Sequence, residues 1–130
     1  MTNLIEMKTA ELSGEALGWA VGMAEGLTLY LDTPIYGNGW RVFVIHRAEA
    51  TGRYERYAPW ESWALGGPLI ENRMVSLHCP QSTDDVWAGW VITDSGEFCQ
   101  AGNTALIAAC RAIVAARLGD TVQVPKELMP

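Results

Sequence analysis

The sequence predicts an α+β fold: a single antiparallel sheet of about four to six strands, with an N-terminal and a C-terminal helix packed on one face. Residues 13–25 and 104–118 repeat apolar side chains at helical spacing. The segments between them are short, rich in β-branched and aromatic residues, and separated by turn residues. The order of helix, several strands and helix is typical of the α+β class.

The length and composition predict one domain over residues 1–130, with a variable loop region at about 48–66 and a tail at 120–130. Of the 130 residues, 49% are apolar and 18% are charged, which is a globular composition. The charge-free run at 98–110 has 13 residues, whereas a membrane span needs roughly 20. The first residues lack the basic and apolar regions of a secretory signal. We therefore expect a cytoplasmic protein with no membrane association.

The N-terminal helix is predicted to extend from Ser13 to Glu25. Ser13 is a favourable N-cap, and Leu12 and Leu17 occupy the two positions of a hydrophobic staple. Gly26 is suited to the left-handed residue that ends a helix. Glycine also recurs every four residues, at positions 14, 18, 22 and 26. Three explanations remain open: a flank that another backbone approaches closely, a self-association surface, or no role.

Short strands are predicted between the helices, and turn residues separate them. The predicted strands are Leu27–Leu31, Arg41–His46, Met74–Cys79, Val86–Thr93 and Glu97–Gln100, with an edge strand at Thr121–Val124. Gly37-Asn38-Gly39 is expected at a turn tip. Residues 48–63 have no clear period and are predicted as a loop. Pro68 is expected to begin a short helical turn that ends at Asn72.

The C-terminal helix is predicted from Thr104 to Leu118, with Asn103 as its N-cap. Its apolar stripe alternates with six alanines, at positions 105, 108, 109, 112, 115 and 116. Because alanine side chains are small, we expect this helix to lie close to the sheet. Gly119 is expected to end it.

The sequence contains no phosphate-binding glycine loop, HExxH motif or nucleophile elbow. A metal site would have to use His46, His78, Cys79 and Cys99, and adjacent residues 78 and 79 point to opposite faces of a strand. We therefore predict no catalytic residue, no metal site and no cofactor. A cysteine nucleophile at Cys99 or Cys79 with a histidine base remains the enzymatic alternative. The odd count of three cysteines, which includes Cys110, indicates reduced thiols.

Basic residues cluster in one segment of an acidic chain. Nine basic and fifteen acidic side chains give a net charge of −6. Residues 41–56 contain four arginines and two glutamates, a net charge of +2, so the remainder carries −8. The aromatic residues Tyr54, Tyr57, Trp60 and Trp63 lie in or beside this segment. Such a mixture anchors protein partners, stacks nucleic-acid bases, or packs as a small core under a loop.

Two stretches of the chain resemble the NinX-like phage and prophage proteins. Leu12–Gly26 follows the pattern L-x-G-x-A-L-x-W-A-V-x-x-A-E-G, and Trp63–Glu71 follows Trp-Ala-x-Gly-Gly-Pro-Leu-Ile-Glu after Pro59. The closing Leu-Gly-Asp at 118–120 and Val-Pro at 124–125 are also similar. The resemblance departs at 3–8 and 28–50. It implies a phage accessory protein in the bacterial cytoplasm, and it implies no particular activity.

The sequence therefore predicts a non-enzymatic accessory protein that binds a host or phage protein and forms a homodimer. The alternative is a nucleic-acid processing factor or a small enzyme with cysteine and histidine chemistry, although nucleic acid is disfavoured by the acidic total. The candidate binding residues are Arg53, Arg56, Tyr57, Trp60, Trp63 and Glu71. In the 63–71 segment, a second interpretation is a tight structural turn at Gly66-Gly67-Pro68, with Trp63 and Ile70 in the core.

Overall fold

The computed structural model describes residues 3–35, 37, 39–46 and 53–129, and over these residues the chain is α+β with three α-helices and three small antiparallel sheets. The strands are β1 (Leu4–Lys8), β2 (Leu29–Asp32), β3 (Arg41–His46), β4 (Arg53–Arg56), β5 (Ser76–His78), β6 (Trp87–Thr93), β7 (Gly96–Gly102) and β8 (Thr121–Pro125). The helices are α1 (Gly14–Ala24), α2 (Trp63–Asn72) and α3 (Ala105–Leu118). The mixed class is confirmed.

The prediction of a single sheet is wrong. The sheets are β1–β8, β2–β3–β4 and β5–β6–β7, and every strand pair within them is antiparallel. In the chain, α1 separates β1 from β2, α2 separates β4 from β5, and α3 separates β7 from β8. Because α3 packs on β5–β6–β7 and also contacts α1, the apolar surface is buried between helices and several small sheets. None of the helices in the described ranges is long and apolar enough to cross a membrane.

The close packing predicted for the alanine-rich C-terminal helix is confirmed. A Cβ atom added at Gly89 of β6 would lie 2.6 Å from the carbonyl oxygen of Ala108 in α3. A Cβ atom added at Gly102 of β7 would lie 2.5 Å from the backbone nitrogen of the same alanine. The two glycines and the small helix residues thus bring the α3 backbone directly onto the sheet. The cap is Thr104 rather than Asn103, because the Thr104 hydroxyl oxygen accepts a hydrogen bond from Ile107 N–H at 3.1 Å.

Two of the recurring glycines in α1 are covered from within the chain. A Cβ atom at Gly18 would lie 2.9 Å from the carbonyl oxygen of Tyr57 and 2.5 Å from the ring of Trp60. At Gly22 the added atom would meet the side chain of Leu29 at 2.6 Å. Both glycines are buried. The first explanation, close approach of another segment, therefore applies to these two positions, and they are not exposed for self-association.

Two local predictions are corrected, and one strand was not predicted. The predicted loop at 48–63 contains strand β4, paired with β3, and its residues 48–52 lie outside the described ranges, as does Asn38 of the predicted turn tip. The helical turn predicted to begin at Pro68 is the second half of helix α2. The helix begins at Trp63, with Ser62 as its N-cap, and Pro68 is its sixth residue. Gly67 has no Cβ to clash with the proline ring, so the helical conformation before Pro68 is accessible. Strand β1, which the sequence did not indicate, pairs with the predicted edge strand at the chain's other end.

Candidate functional site

The described arginines of the basic segment are neutralised by carboxylates of the same chain. On β4, Arg53 Nη1 donates to Glu55 Oε2 at 2.7 Å, and His46 Nε2 lies 3.2 Å from the same oxygen. On β3, Arg41 Nη2 donates to Asp32 Oδ2 at 3.2 Å. The third described arginine of the segment, Arg56, forms an ion pair with Glu15 of α1. Ion pairing therefore cancels much of the positive charge that the sequence places there.

Arg56 and Trp60 hold the β4 end of the sheet against α1. The guanidinium of Arg56 forms an ion pair with Glu15 and lies 3.9 Å from Glu61. It is also 6.0 Å from the ring centroid of Trp60, which packs over Gly18. The second carboxylate oxygen of Glu15 accepts a hydrogen bond from the backbone N–H of Val42 at 2.8 Å. These two predicted site residues thus take part in packing within the chain.

Tyr57 belongs to the main hydrophobic core and is only 5% exposed. Burial raises the pKa of its phenol well above the usual range, and the charges of Glu25 and Cys110 act in the same direction. The ring is therefore not available as a surface contact. Nearby, Glu25 receives two hydrogen bonds from Arg73, at 2.7 and 2.9 Å, which tie the end of α1 to the end of α2.

Trp63 and Glu71 lie near opposite ends of α2. Trp63 is 58% exposed and lines a groove with Trp60 and the first turn of α3. Glu71 is exposed eight residues further on, which is about 12 Å along a helix axis. The two side chains therefore do not form one contact site. The interpretation of Trp63 as a core residue in a tight turn is wrong, because the segment is helical and the ring faces outward.

The outer face of β2–β3–β4 carries three aromatic rings that we call the aromatic face: the exposed Tyr30 and Tyr54 and the half-buried Phe43. Val42 and Val44 of β3 point into the core, so Phe43 between them points outward. Tyr30 is directly opposite Phe43 in the register of β2 with β3. Tyr30 and Tyr54 contact each other edge to face, with ring centroids 5.6 Å apart, and are 44% and 60% exposed.

A cleft lies between these rings. Its lining is Tyr30, Asp32, Phe43 and Tyr54, and its volume is about 280 Å³. Asp32 is thus both the partner of Arg41 and a wall of the cleft. The guanidinium carbon of Arg41 lies 5.5 Å from the Phe43 ring centroid. Tyr54 was among the aromatic residues singled out from the sequence, whereas Tyr30 and Phe43 were not. The alternation of buried valines along β3 was the signal that could have placed Phe43 outside.

The cysteines and histidines are dispersed. Cys110 is buried in α3, and burial raises the pKa of its thiol to about 12. Cys79 and Cys99 are exposed, and the His78 ring packs against Trp90 at 5.9 Å. Within the described part of the chain, no group of three or more His, Cys, Asp or Glu side chains is placed to hold a metal ion.

The fold and this surface define a small α+β protein that exposes an aromatic sheet face next to a carboxylate–guanidinium pair. Sequence comparison identifies its family. The family model described as Bacteriophage P22, NinX matches residues 8–117, so the chain belongs to this phage protein family. The match confirms the resemblance carried by residues 12–26 and 63–71. No curated protein sequence matches the chain.

Proposed function

We propose that this phage protein is a non-enzymatic accessory module that binds a host or phage protein through the aromatic face. The observation that carries the proposal is the exposed contact between Tyr30 and Tyr54 on the outer side of β2–β3–β4. Large apolar rings in water are stabilised by burial, and tyrosine is enriched among the residues that dominate binding energy at interfaces. Their mutual contact also restricts the rings before binding, which lowers the entropy lost on association.

Charge favours a protein partner over nucleic acid. Affinity for nucleic acid comes mainly from cations that replace phosphate counterions. Arg41, Arg53 and Arg56 are already ion-paired, and the whole chain carries a net charge of −6. A polyanion would therefore be repelled by the body of the protein. The acidic total instead suits a partner whose contact surface is basic, because opposite charges steer association.

The experiment compares three forms of the tagged protein in lysate from phage-infected bacteria, treated with nuclease. They are the wild type, the double variant Tyr30→Ala/Tyr54→Ala, and Trp63→Ala as a matched control. Trp63 is also an exposed aromatic residue, but it lies on α2. We expect one stoichiometric protein partner with the wild type and the control, and at least tenfold less with the double variant.

Undiminished capture by the double variant would refute the aromatic face as the binding surface. Loss with Trp63→Ala alone would move the site to the groove that Trp63 lines beside α3, and would support the sequence prediction of Trp63 as a binding residue. Capture by the wild type from a parallel lysate without nuclease, lost after nuclease treatment, would support the nucleic-acid alternative. The proposal retains the homodimer and the bacterial cytoplasm expected from the sequence, and a monomer mass in light scattering at micromolar concentration would contradict the dimer.

A further inference from the structure

The cleft in the aromatic face combines three aromatic rings with one carboxylate. Tyr30, Phe43 and Tyr54 supply the rings, and Asp32 supplies the negative charge. The face of an aromatic ring carries a partial negative potential, and several rings around one space attract a cation. The Asp32 carboxylate at the edge of the same space, although ion-paired with Arg41, adds negative charge and a hydrogen-bond acceptor. Each described residue that lines the cleft thus favours a positively charged group.

The chain itself places one cation against these groups. The guanidinium of Arg41 lies 5.5 Å from the Phe43 centroid and 3.2 Å from Asp32 Oδ2. Asp32 Oδ1 makes no hydrogen bond with any described residue. One carboxylate oxygen is therefore engaged by Arg41, and the other is able to accept a further hydrogen bond. The arrangement has the composition of an aromatic cage with room for a second cation.

We propose that this cleft binds a cationic side chain, the ammonium group of a lysine or the guanidinium group of an arginine, on the partner protein. The inference rests on the proposed function and specifies which chemistry the partner presents at the aromatic face. The net charge of −6 supports it, because the field of the whole chain attracts a basic segment. An anionic group in the cleft would be repelled by the ring faces and by Asp32, and the Arg41 guanidinium that could attract it is already paired with Asp32.

The direct test uses choline and its neutral isostere 3,3-dimethylbutan-1-ol, which differ in charge but have nearly the same shape. The full-length protein is labelled with 3-fluorotyrosine and titrated with each compound, and binding is followed by fluorine NMR. Tyr→Phe variants assign the four tyrosine resonances. We expect choline to shift the Tyr30 and Tyr54 signals in the millimolar range and the alcohol to bind at least tenfold more weakly. The signal of buried Tyr57 should not move, which reports that the fold is intact.

Two variants separate the contributions of the cleft. Tyr54→Ala removes a ring without touching the carboxylate, and Asp32→Asn removes the charge with little change of shape. Each should weaken choline binding several-fold while the Tyr57 signal is retained. A second pair of ligands, acetyl-Gly-Lys-Gly-amide and the same peptide with norleucine in place of lysine, extends the comparison to a side chain on a peptide. We expect the lysine peptide to bind more tightly than the norleucine peptide.

Equal binding of choline and the alcohol would overturn the inference and make the cleft an apolar anchor. Absence of binding by both would overturn it as well. These outcomes are distinct from a failure of the proposed function, which is measured by partner capture with the Tyr30→Ala/Tyr54→Ala variant. Capture that depends on the two tyrosines without a preference for the cation leaves the function standing and refutes only the cationic ligand.

Discussion

Replacement of Gly18 by alanine tests whether the glycines of α1 are packing positions. In an exposed helix interior, Gly→Ala stabilises by roughly 1 kcal/mol, because alanine has the higher helix propensity. At Gly18 the added Cβ would meet the backbone oxygen of Tyr57 at 2.9 Å and the Trp60 ring at 2.5 Å. A backbone carbonyl has little freedom to move, and overpacking of this kind costs about 1–3 kcal/mol.

Gly22→Ala is the matched control, since it lies one turn further along the same helix and is equally buried. The three heavy atoms nearest to its added Cβ all belong to the Leu29 side chain, and the closest is a terminal methyl group at 2.6 Å. A leucine side chain can rotate away from the added methyl group. The contact therefore cancels less of the stability gained from helix propensity at Gly22 than at Gly18. Because both variants share the same intrinsic gain of about 1 kcal/mol, the difference between them reports the contact.

We expect Gly18→Ala to be less stable than Gly22→Ala by about 1–3 kcal/mol. Urea denaturation followed by circular dichroism measures both free energies of unfolding, and equal m-values confirm that the same transition is compared. If Gly18→Ala proved as stable as Gly22→Ala, the packing of α1 against the segment at 57–60 would be refuted, and the arrangement of Arg56 and Trp60 with it.

Two further predictions follow from α3. The neutral thiol of Cys110 is favoured by folding because its pKa is raised from 9.0 to about 12. Its contribution to stability is therefore complete below about pH 9 and lost as the pH rises toward 12. Under reducing conditions the wild type should lose stability over this range more steeply than Cys110→Ala, by up to about 1.4 kcal/mol per pH unit; equal slopes would contradict a protected thiol. Thr104→Ala should lower the unfolding free energy by about 1 kcal/mol by removing the N-cap, whereas Asn103→Ala should have little effect. The reverse order in thermal or urea unfolding would restore Asn103 as the cap.

Residues with a strong local pattern were predicted well. The strand Arg41–His46 has the predicted bounds, and α1 and α3 each begin within one residue of the predicted start. In these segments the spacing of apolar residues, the caps and the β-branched side chains all favour the same conformation. Local preference and burial then agree, and sequence reasoning needs no knowledge of the rest of the fold.

Segments without such agreement were predicted poorly. In α2, Pro68 and the glycines before it indicate a turn, yet Ser62 caps the helix and Gly66 packs against Leu106 and the carbonyl oxygen of Pro59. Strand β4 has two exposed and two half-buried residues, so it shows no alternation, and it forms because β3 offers a free edge. Tertiary contacts decided both α2 and β4, and in α2 the local preference of the sequence opposed the observed structure.

The sequence by itself determined the α+β class, the two long helices, the phage family and the concentration of aromatic and basic residues near 41–63. Only the tertiary structure decided which of those side chains reach solvent. It buries Tyr57, pairs Arg41 and Arg56 with carboxylates from other elements, and brings Tyr30 from β2 to Tyr54 from β4. The Tyr30–Tyr54 and Arg56–Glu15 contacts join residues 24 or more positions apart, and the Arg41–Asp32 pair depends on the register of β2 with β3. That register is set by the burial of Val42 and Val44 and not by any pattern in the site itself.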